Sequence, residues 1–329
     1  MNDVILEVNN LKTWFFTRRG IVKAVNGMSY FLQRGECLCL VGESGCGKSV
    51  SALSLLRLFD SPPGKIVDGK IFYKGIDLRH CENEQLRKIR GRDIAVVFQN
   101  AQSALNPVFT IGDQIMEQIK IHKKMNTRDA QSKAIALLNE MRIPDARRAL
   151  QLYPHQMSGG MRQRAMIAMS LSCDPEVLVA DEPTTAVDVT IRAQIMSILQ
   201  ELKVNRNMSI IFITHDLSQV NDIGDRAAVV YGGKIVEIAP VKDILTSPAH
   251  PYTEGLISCL PDISADRARL SSIPGNAPNL LDIPSGCPFH PRCNKVMEIC
   301  SQTEPVMVNI KGVHQVACHL YTMKIEKTA

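Results

Sequence analysis

The chain has 329 residues, 45% of them hydrophobic and 22% charged, with a formal net charge of +5. That is apolar content for a substantial core, in one large domain with an appendage or in two domains. No apolar run nears the ~20 residues of a membrane-spanning helix, and MNDVILEVNN lacks the basic start of a signal peptide, so a cytoplasmic chain is expected. The basic pairs Arg18-Arg19, Lys123-Lys124 and Arg147-Arg148 are scattered, with few aromatics among them. They read as solvated faces and argue against a nucleic-acid stripe.

In chain order, residues 4–8 and 27–32 carry apolar clusters bounded by polar turns, the pattern of antiparallel strands. Residues 36–41, ECLCLV, form a continuous apolar run, as in a strand buried on both faces, with Cys37 and Cys39 acting as small hydrophobes. The run leads through GESGCGKS into VSALSLLRLF, whose leucines recur at helical spacing. Residues 112–141 and 188–204 read as amphipathic helices, and Met161–Leu171 as a helix opened by Ser-Gly-Gly. Strands of the buried type are predicted at Val177–Ala180 and Ser209–Ile213. Such strands alternating with helices imply an α/β fold with a mainly parallel sheet covered on both faces. After residue 239 prolines cluster and long periodic segments stop, which marks a smaller, loop-rich piece. The expected division is therefore 1–238 and 239–329.

Gly42-Glu43-Ser44-Gly45-Cys46-Gly47-Lys48-Ser49 matches G-x-x-x-x-G-K-[ST] with a strand before it and a helix after it. Its glycines let backbone N–H groups curl around phosphate oxygens, Lys48 reaches the outer phosphates, and the Ser49 hydroxyl ligates Mg²⁺. Cys46, at the helix N-terminus, is expected to have a lowered thiol pKa and to react with thiol reagents. VLVADEP (177–183) ends a buried strand in two carboxylates. Asp181 suits the Mg²⁺ shell through water, and Glu182 is placed to polarise an attacking water. MSGGMRQR (157–164) opens a second anion-ready helix N-terminus. One nucleotide does not need two cradles from one chain. Two chains packed head to tail would use both, each phosphate loop facing Ser158, Gly159 and Gly160 of the other.

With Gln99 in VVFQN, Asp188 in TTAVDVT and His215 in IFITHD, this ordered set strongly resembles the ATPase subunit of ABC transporters, over residues 5–238. The resemblance implies a P-loop ATPase with an antiparallel β subdomain and a helical subdomain. It implies that Gln99 senses Mg²⁺ and the lytic water, that Asp188 crosses a dimer interface, and that His215 contacts the γ-phosphate and steadies Glu182. Phe15 resembles the aromatic that stacks on adenine, with Trp14 and Phe16 as its alternatives one register away. Three positions depart from the common pattern: Met161 for Gln, Val187 for Leu and Cys46 for Ser.

With one phosphate loop, one Ser-Gly-Gly, no membrane helices and an ordinary helical subdomain between the motifs, the exporter, translation-factor and chromosome-maintenance branches fit poorly. SPAHPYTEGLISCLP (247–261), IPGNAPNLLDIPSGCPFHPRC (273–293) and VACHL (316–320) resemble the C-terminal extension of dipeptide and oligopeptide importer ATPases. That family also carries nickel, glutathione and some sugars. A soluble ABC ATPase acting on nucleic acid or ribosomes is the alternative of another class. Within the importer reading, the implied partners are a second, paralogous ATPase subunit, two transmembrane permease subunits and an extracytoplasmic substrate-binding protein. The implied place is the cytoplasmic face of the membrane, with ATP and Mg²⁺ as ligands.

Four of the ten cysteines, Cys287, Cys293, Cys300 and Cys318, crowd the last 43 residues in the spacing C-x₅-C-x₆-C-x₁₇-C. A reducing compartment disfavours disulfides. Structural zinc commonly shows close C-x₂₋₄-C pairs, which are missing here. Thiolates from loops can also surround an iron–sulfur cubane, and independent buried thiols remain possible. Members of the dipeptide-importer branch hold a [4Fe–4S] cluster in this extension, and these four residues match its ligands. The resemblance therefore implies a [4Fe–4S] cluster, with zinc second and free thiols third.

Overall fold

The computed structural model describes residues 3–185, 187–259 and 272–326. Strands β1 (Val4–Thr17), β2 (Gly20–Gln33) and β3 (Cys37–Val41) precede helix α1 (Lys48–Leu55), followed by β4 (Gly64–Tyr73) and β5 (Ile76–Asp77). Helix α2 (Asn83–Ile89) and β6 (Ile94–Val97) lead into α3 (Ala101–Ala104), α4 (Ile111–Lys123), α5 (Thr127–Glu140) and α6 (Ala146–Ala149). Next come α7 (Gly159–Ser170), β7 (Val177–Asp181), α8 (Val189–Asn205), β8 (Ser209–Thr214), α9 (Leu217–Ile223), β9 (Arg226–Tyr231) and β10 (Lys234–Pro240). The C-terminal part holds α10 (Val241–Thr246), α11 (Pro251–Ser258), α12 (Ile299–Gln302), β11 (Val308–Lys311), β12 (His314–Val316) and α13 (His319–Glu326). Leu260 and Pro261, which end the stretch 247–261, lie outside the described residues. Among the described residues no helix is long and apolar enough to cross a membrane.

The chain forms two compact units. The first comprises Met1–Gln33, Cys37–His80 and Ile213–Ala329. In it β2, β1, β4 and β5 lie in that order in an antiparallel sheet, and the order β11-β12-β10-β9-β3 makes a second. β3 runs parallel to β9, while β10 pairs antiparallel with β9 and β12. All five residues of β3 are buried, as its continuous apolar run dictates. β1 and β2 extend well past the segments read as 4–8 and 27–32. The register of β1 on β2 shifts between Val8 and Leu11, with Asn10 at φ 48. The shift moves the buried phase from Leu6 and Val8 to Leu11 and Thr13, so simple alternation ends there.

The second unit comprises Arg34–Glu36 and Cys81–Phe212. Its strands follow the order β8-β7-β6, with β6 and β7 parallel. Helices α4, α5 and α7 pack on one another, α4 burying Ile111, Ile115 and Ile119 along one face. The stretch 112–141 is two helices, not one. Lys124 turns left-handed at φ 53, and the Asn126 side chain caps α5 by accepting from Asp129 N at 3.0 Å. Ile119 and Ala130 continue the apolar pattern across this break, which is why periodicity alone does not reveal it.

Candidate active site and C-terminal extension

Three glycines shape the phosphate loop. Gly45 and Gly47 have φ of 79° and 104°, values that glycine adopts without strain. A Cβ at Gly47 would lie 2.1 Å from Ala24 O, and one at Gly42 2.2 Å from Val230 O, so both glycines are also demanded by close backbone approach. At Gly45 a Cβ would meet nothing within 4 Å, and Ser44 and Gly45 form the exposed apex. Lys48 is only 4% exposed and folds back on the loop. Its Nζ donates to Gly42 O at 2.7 Å, Glu43 O at 2.8 Å and Cys46 Sγ at 3.6 Å. Ser49 follows at the start of α1. Cys46 corrects the expectation drawn from its position. The thiol is buried, and burial pushes it above the usual thiol range against the pull of the Lys48 charge.

Phe15 packs edge-on against Phe59 at 5.9 Å, while Phe16 is the exposed member of the aromatic trio and Trp14 lies under Lys23 at 5.4 Å. His215 is exposed just past β8 in the same unit, next to Asp216, whose carboxylate caps α9 through Ser218 N at 2.9 Å.

In the second unit, β7 delivers Asp181 and Glu182 as buried carboxylates. Glu182 turns left-handed at φ 44 immediately after the strand. Its Oε2 accepts from Gln99 Nε2 at 3.0 Å and from Thr185 Oγ1 at 2.9 Å. The structure thus brings together two residues 83 apart in sequence that the motifs assign to one water. Ser158 caps α7, accepting from Met161 N at 3.3 Å, and both Ser158 and Gly159 are exposed. Gly160 differs from them. It is buried, and a Cβ there would lie 2.8 Å from Ile191 Cγ2, so its role in this chain is close packing of α7 on α8. Asp188 is exposed and caps α8 through Ile191 N at 2.9 Å. Arg164, quoted in MSGGMRQR without a role, is buried and donates to Arg142 O at 2.8 Å and Gly160 O at 3.3 Å, which pins the helix that presents Ser158.

Residues 25–185 match the family model for the ABC transporter, and residues 236–300 match that for the oligopeptide/dipeptide transporter C-terminal region. The oligopeptide transport ATP-binding protein AppD of Bacillus subtilis (strain 168) is 44% identical over 97% of this chain and 97% of its own length. The dipeptide transport ATP-binding protein DppD of the same organism is 44% identical over 98% of this chain and 97% of its own. The chain belongs to the ABC-type oligopeptide and dipeptide transport ATP-binding proteins. As a member of that family it is an ATPase coupled to transport and uses ATP with Mg²⁺. Among solved structures, the dimeric ATP-binding cassette MJ0796 bound to ADP and Pi is similar with a TM-score of 0.65 at 24% identity. That likeness covers 72% of this chain and 98% of the other, and it concerns the fold.

In this peptide-transporter ATP-binding protein the extension packs its aromatic side chains on the end of β9. Tyr231, Tyr252 and Phe289 pack as a ring cluster with centroids 4.5–5.3 Å apart. Cys287, Cys293, Cys300 and Cys318 all line one small cavity of about 10 Å³, together with His250 and His319. Among the described residues no disulfide joins two cysteines, and burial pushes Cys287 and Cys318 up to about 11. Among the described residues no three His, Cys, Asp or Glu side chains are arranged to hold a metal ion, which bears on the iron–sulfur and the zinc readings alike. One observation separates the cavity from ordinary packing. His250 Nδ1 accepts from Tyr252 N at 3.0 Å, which places the ring proton on Nε2, and that buried Nε2 has no hydrogen-bond partner.

Two residues of the extension reach the phosphate loop, and nothing in their spacing announces it. Tyr252 Oη accepts from Glu43 N at 2.9 Å, and Arg292 pairs with the Glu43 carboxylate at 2.7 Å. Both lie inside stretches quoted for their resemblance, HPYTEG and PFHPRC, but contacts 209 and 249 residues away leave no periodic signal.

Proposed function

We propose that this chain hydrolyses ATP to drive peptide uptake, as the motor subunit of an importer at the cytoplasmic face of a membrane. The observation that carries the reading is the coexistence, in one chain, of the Gln99–Glu182 bond and a complete phosphate loop with the peptide-transporter C-terminal region. Residues 1–238 form the ATPase and 239–329 the appended module.

The phosphates take the loop's backbone N–H groups, and Lys48 Nζ leaves the carbonyls of Gly42 and Glu43 to meet them. Ser49 and Asp181 would hold Mg²⁺, which would supply neutralisation of the charge developing on the phosphates. Glu182 Oε2 accepts the proton of the attacking water, held in place by Gln99 and Thr185, and His215 steadies the γ-phosphate. Phe15 stacks on the adenine. Ser158, Gly159, Gly160 and Asp188 serve the ATP of a second ATPase subunit, a paralogue of this chain. Two permease subunits transmit the closure, and an extracytoplasmic binding protein selects the cargo.

A [4Fe–4S] cluster is the reading that the four-cysteine pattern carries: Cys287, Cys293, Cys300 and Cys318 would be its thiolate ligands, and the buried His250 Nε2–H, which lacks an acceptor, would be available to cluster sulfur. Such a cluster would tie together the loops that carry these four cysteines. Anaerobic purification should give a brown protein with about four irons per chain. A colourless, iron-free anaerobic preparation removes the cluster.

The transport reading is tested with Glu182→Gln in the complex purified with its membrane subunits. The variant should bind ATP and lose about 10²–10⁴ in peptide-stimulated hydrolysis. Near-normal turnover would take Glu182 out of its role, and stimulation by nickel or glutathione but not by peptides would change the cargo.

A further inference from the structure

The phosphate loop has little side-chain packing at its apex. Gly45 faces open space and Ser44 is exposed, so the loop's shape depends on anchors elsewhere. Glu43 is the main one, and each of its three polar groups is engaged. Its carbonyl accepts from Lys48 Nζ at 2.8 Å, its N–H donates to the buried Tyr252 hydroxyl at 2.9 Å, and its carboxylate is gripped by Arg292. The grip is bidentate, Nη1 to Oε2 at 2.7 Å and Nη2 to Oε1 at 2.9 Å. Arg292 is itself held. Its Nε donates to Pro274 O at 2.8 Å and its Nη1 to the Tyr231 hydroxyl at 3.3 Å, and its side chain is only 7% exposed. A planar guanidinium bound on three sides is a rigid strut where a lysine would be a flexible charge.

We infer that Arg292 is a positioning residue for ATP binding, by which the C-terminal extension fixes and neutralises Glu43 of the phosphate loop. The inference rests on the phosphate-loop reading above. Two effects act in the same direction. The strut fixes the peptide on which Lys48 waits, and it cancels a carboxylate charge that would otherwise repel an incoming triphosphate. Arg292 touches neither nucleotide nor water in this role; it acts through Glu43.

The experiment measures the Kd of the full-length chain for a fluorescent ATP analogue, and KM and kcat for ATP in the assembled transporter. Arg292→Ala should raise both Kd and KM by about tenfold, the scale of an uncompensated charge close to a polyanion, with kcat changed less than about twofold. Removing the stranded charge should reverse most of that loss. The double variant Glu43→Gln/Arg292→Ala is therefore expected within about threefold of the parent, a non-additivity that generally weakened packing would not produce. Should Arg292→Ala not fold, Arg292→Gln, which keeps hydrogen-bonding length without charge, is judged by the same criteria. Parental Kd in the single variant, or a Kd that the second substitution fails to recover, overturns the inference alone. A parent chain that binds no analogue overturns the phosphate-loop reading and the inference together.

Discussion

Glu182 carries its carboxylate from a left-handed backbone, φ 44, a conformation that strains a residue with a Cβ by about 1–2 kcal/mol. The turn takes the side chain out of the line of β7 and towards Gln99 and Thr185. Removal of one of these contacts should loosen the carboxylate without removing it. With Glu182 as the proposed proton acceptor, Thr185→Val is expected to lower kcat by about tenfold with the KM for ATP little changed, as a steady-state assay would read, because only the orientation of that carboxylate is lost. Cys46 yields a pH prediction. A thiol held above its usual range carries less thiolate at neutral pH than a free cysteine, whose pKa is about 8.5. Iodoacetamide at pH 7 should therefore modify the half-buried Cys81 well before Cys46, and labelling of Cys46 should rise only as the pH climbs past the free-thiol value. Mass spectrometry of digested protein reads both sites, and rapid labelling of Cys46 at pH 7 would contradict its burial. The identity of these residues was legible because each lies at the end of a strand or the start of a helix that the sequence announces. Their environment was not. A helix N-terminus lowers a thiol pKa only where water or charge outweighs burial, and no local pattern reports burial at Cys46.

At the scale of elements, the junction of β10 with the extension is held by one buried carboxylate. Glu237 accepts from Ala249 N at 2.8 Å, His250 N at 2.9 Å and His314 Nε2 at 2.7 Å, and it has no exposed surface. Burial pushes this carboxyl up, but the His314 bond and the two backbone donors together hold it below the ordinary range. A depressed carboxyl contributes its full stability above the unfolded value, about 4.3, and loses it as pH falls through the folded one. Glu237→Gln should thus cost about 2–4 kcal/mol at pH 7, and the gap in melting temperature from the parent should narrow below about pH 4.3. A gap that stays constant into acid would show that the charge does not carry the effect. Strand and helix types followed from apolar period, but boundaries failed where one residue interrupts the phase. Asn10 shifts the register of β1, and Lys124 with Asn126 divides 112–141 into α4 and α5. Both positions hold residues that tolerate or stabilise a turn, yet the apolar pattern on either side masks them.

At the scale of the whole molecule, the residues assigned to one reaction are divided between two units: Lys48 and His215 belong to the first, Gln99, Asp181 and Glu182 to the second. Motif order along the chain predicts the complete set, but it cannot foresee that residues after 239 join the unit that contains the phosphate loop. The extension's contribution through β12 has a further consequence, for solubility. β10 is a run of five buried residues between Lys234 and Pro240, and β12 covers the side that β9 leaves open. The last strand presented to solvent is then β11, four residues long, with Asn309 and Lys311 exposed. Short strands carrying lysine are poor templates for joining another molecule's sheet, whereas an uncovered apolar strand is a good one. A chain ending at Pro240 should accordingly elute in the void volume on gel filtration while the full chain does not. The segment that marks this motor as a peptide transporter's also covers the strand edge through which copies of it could pair.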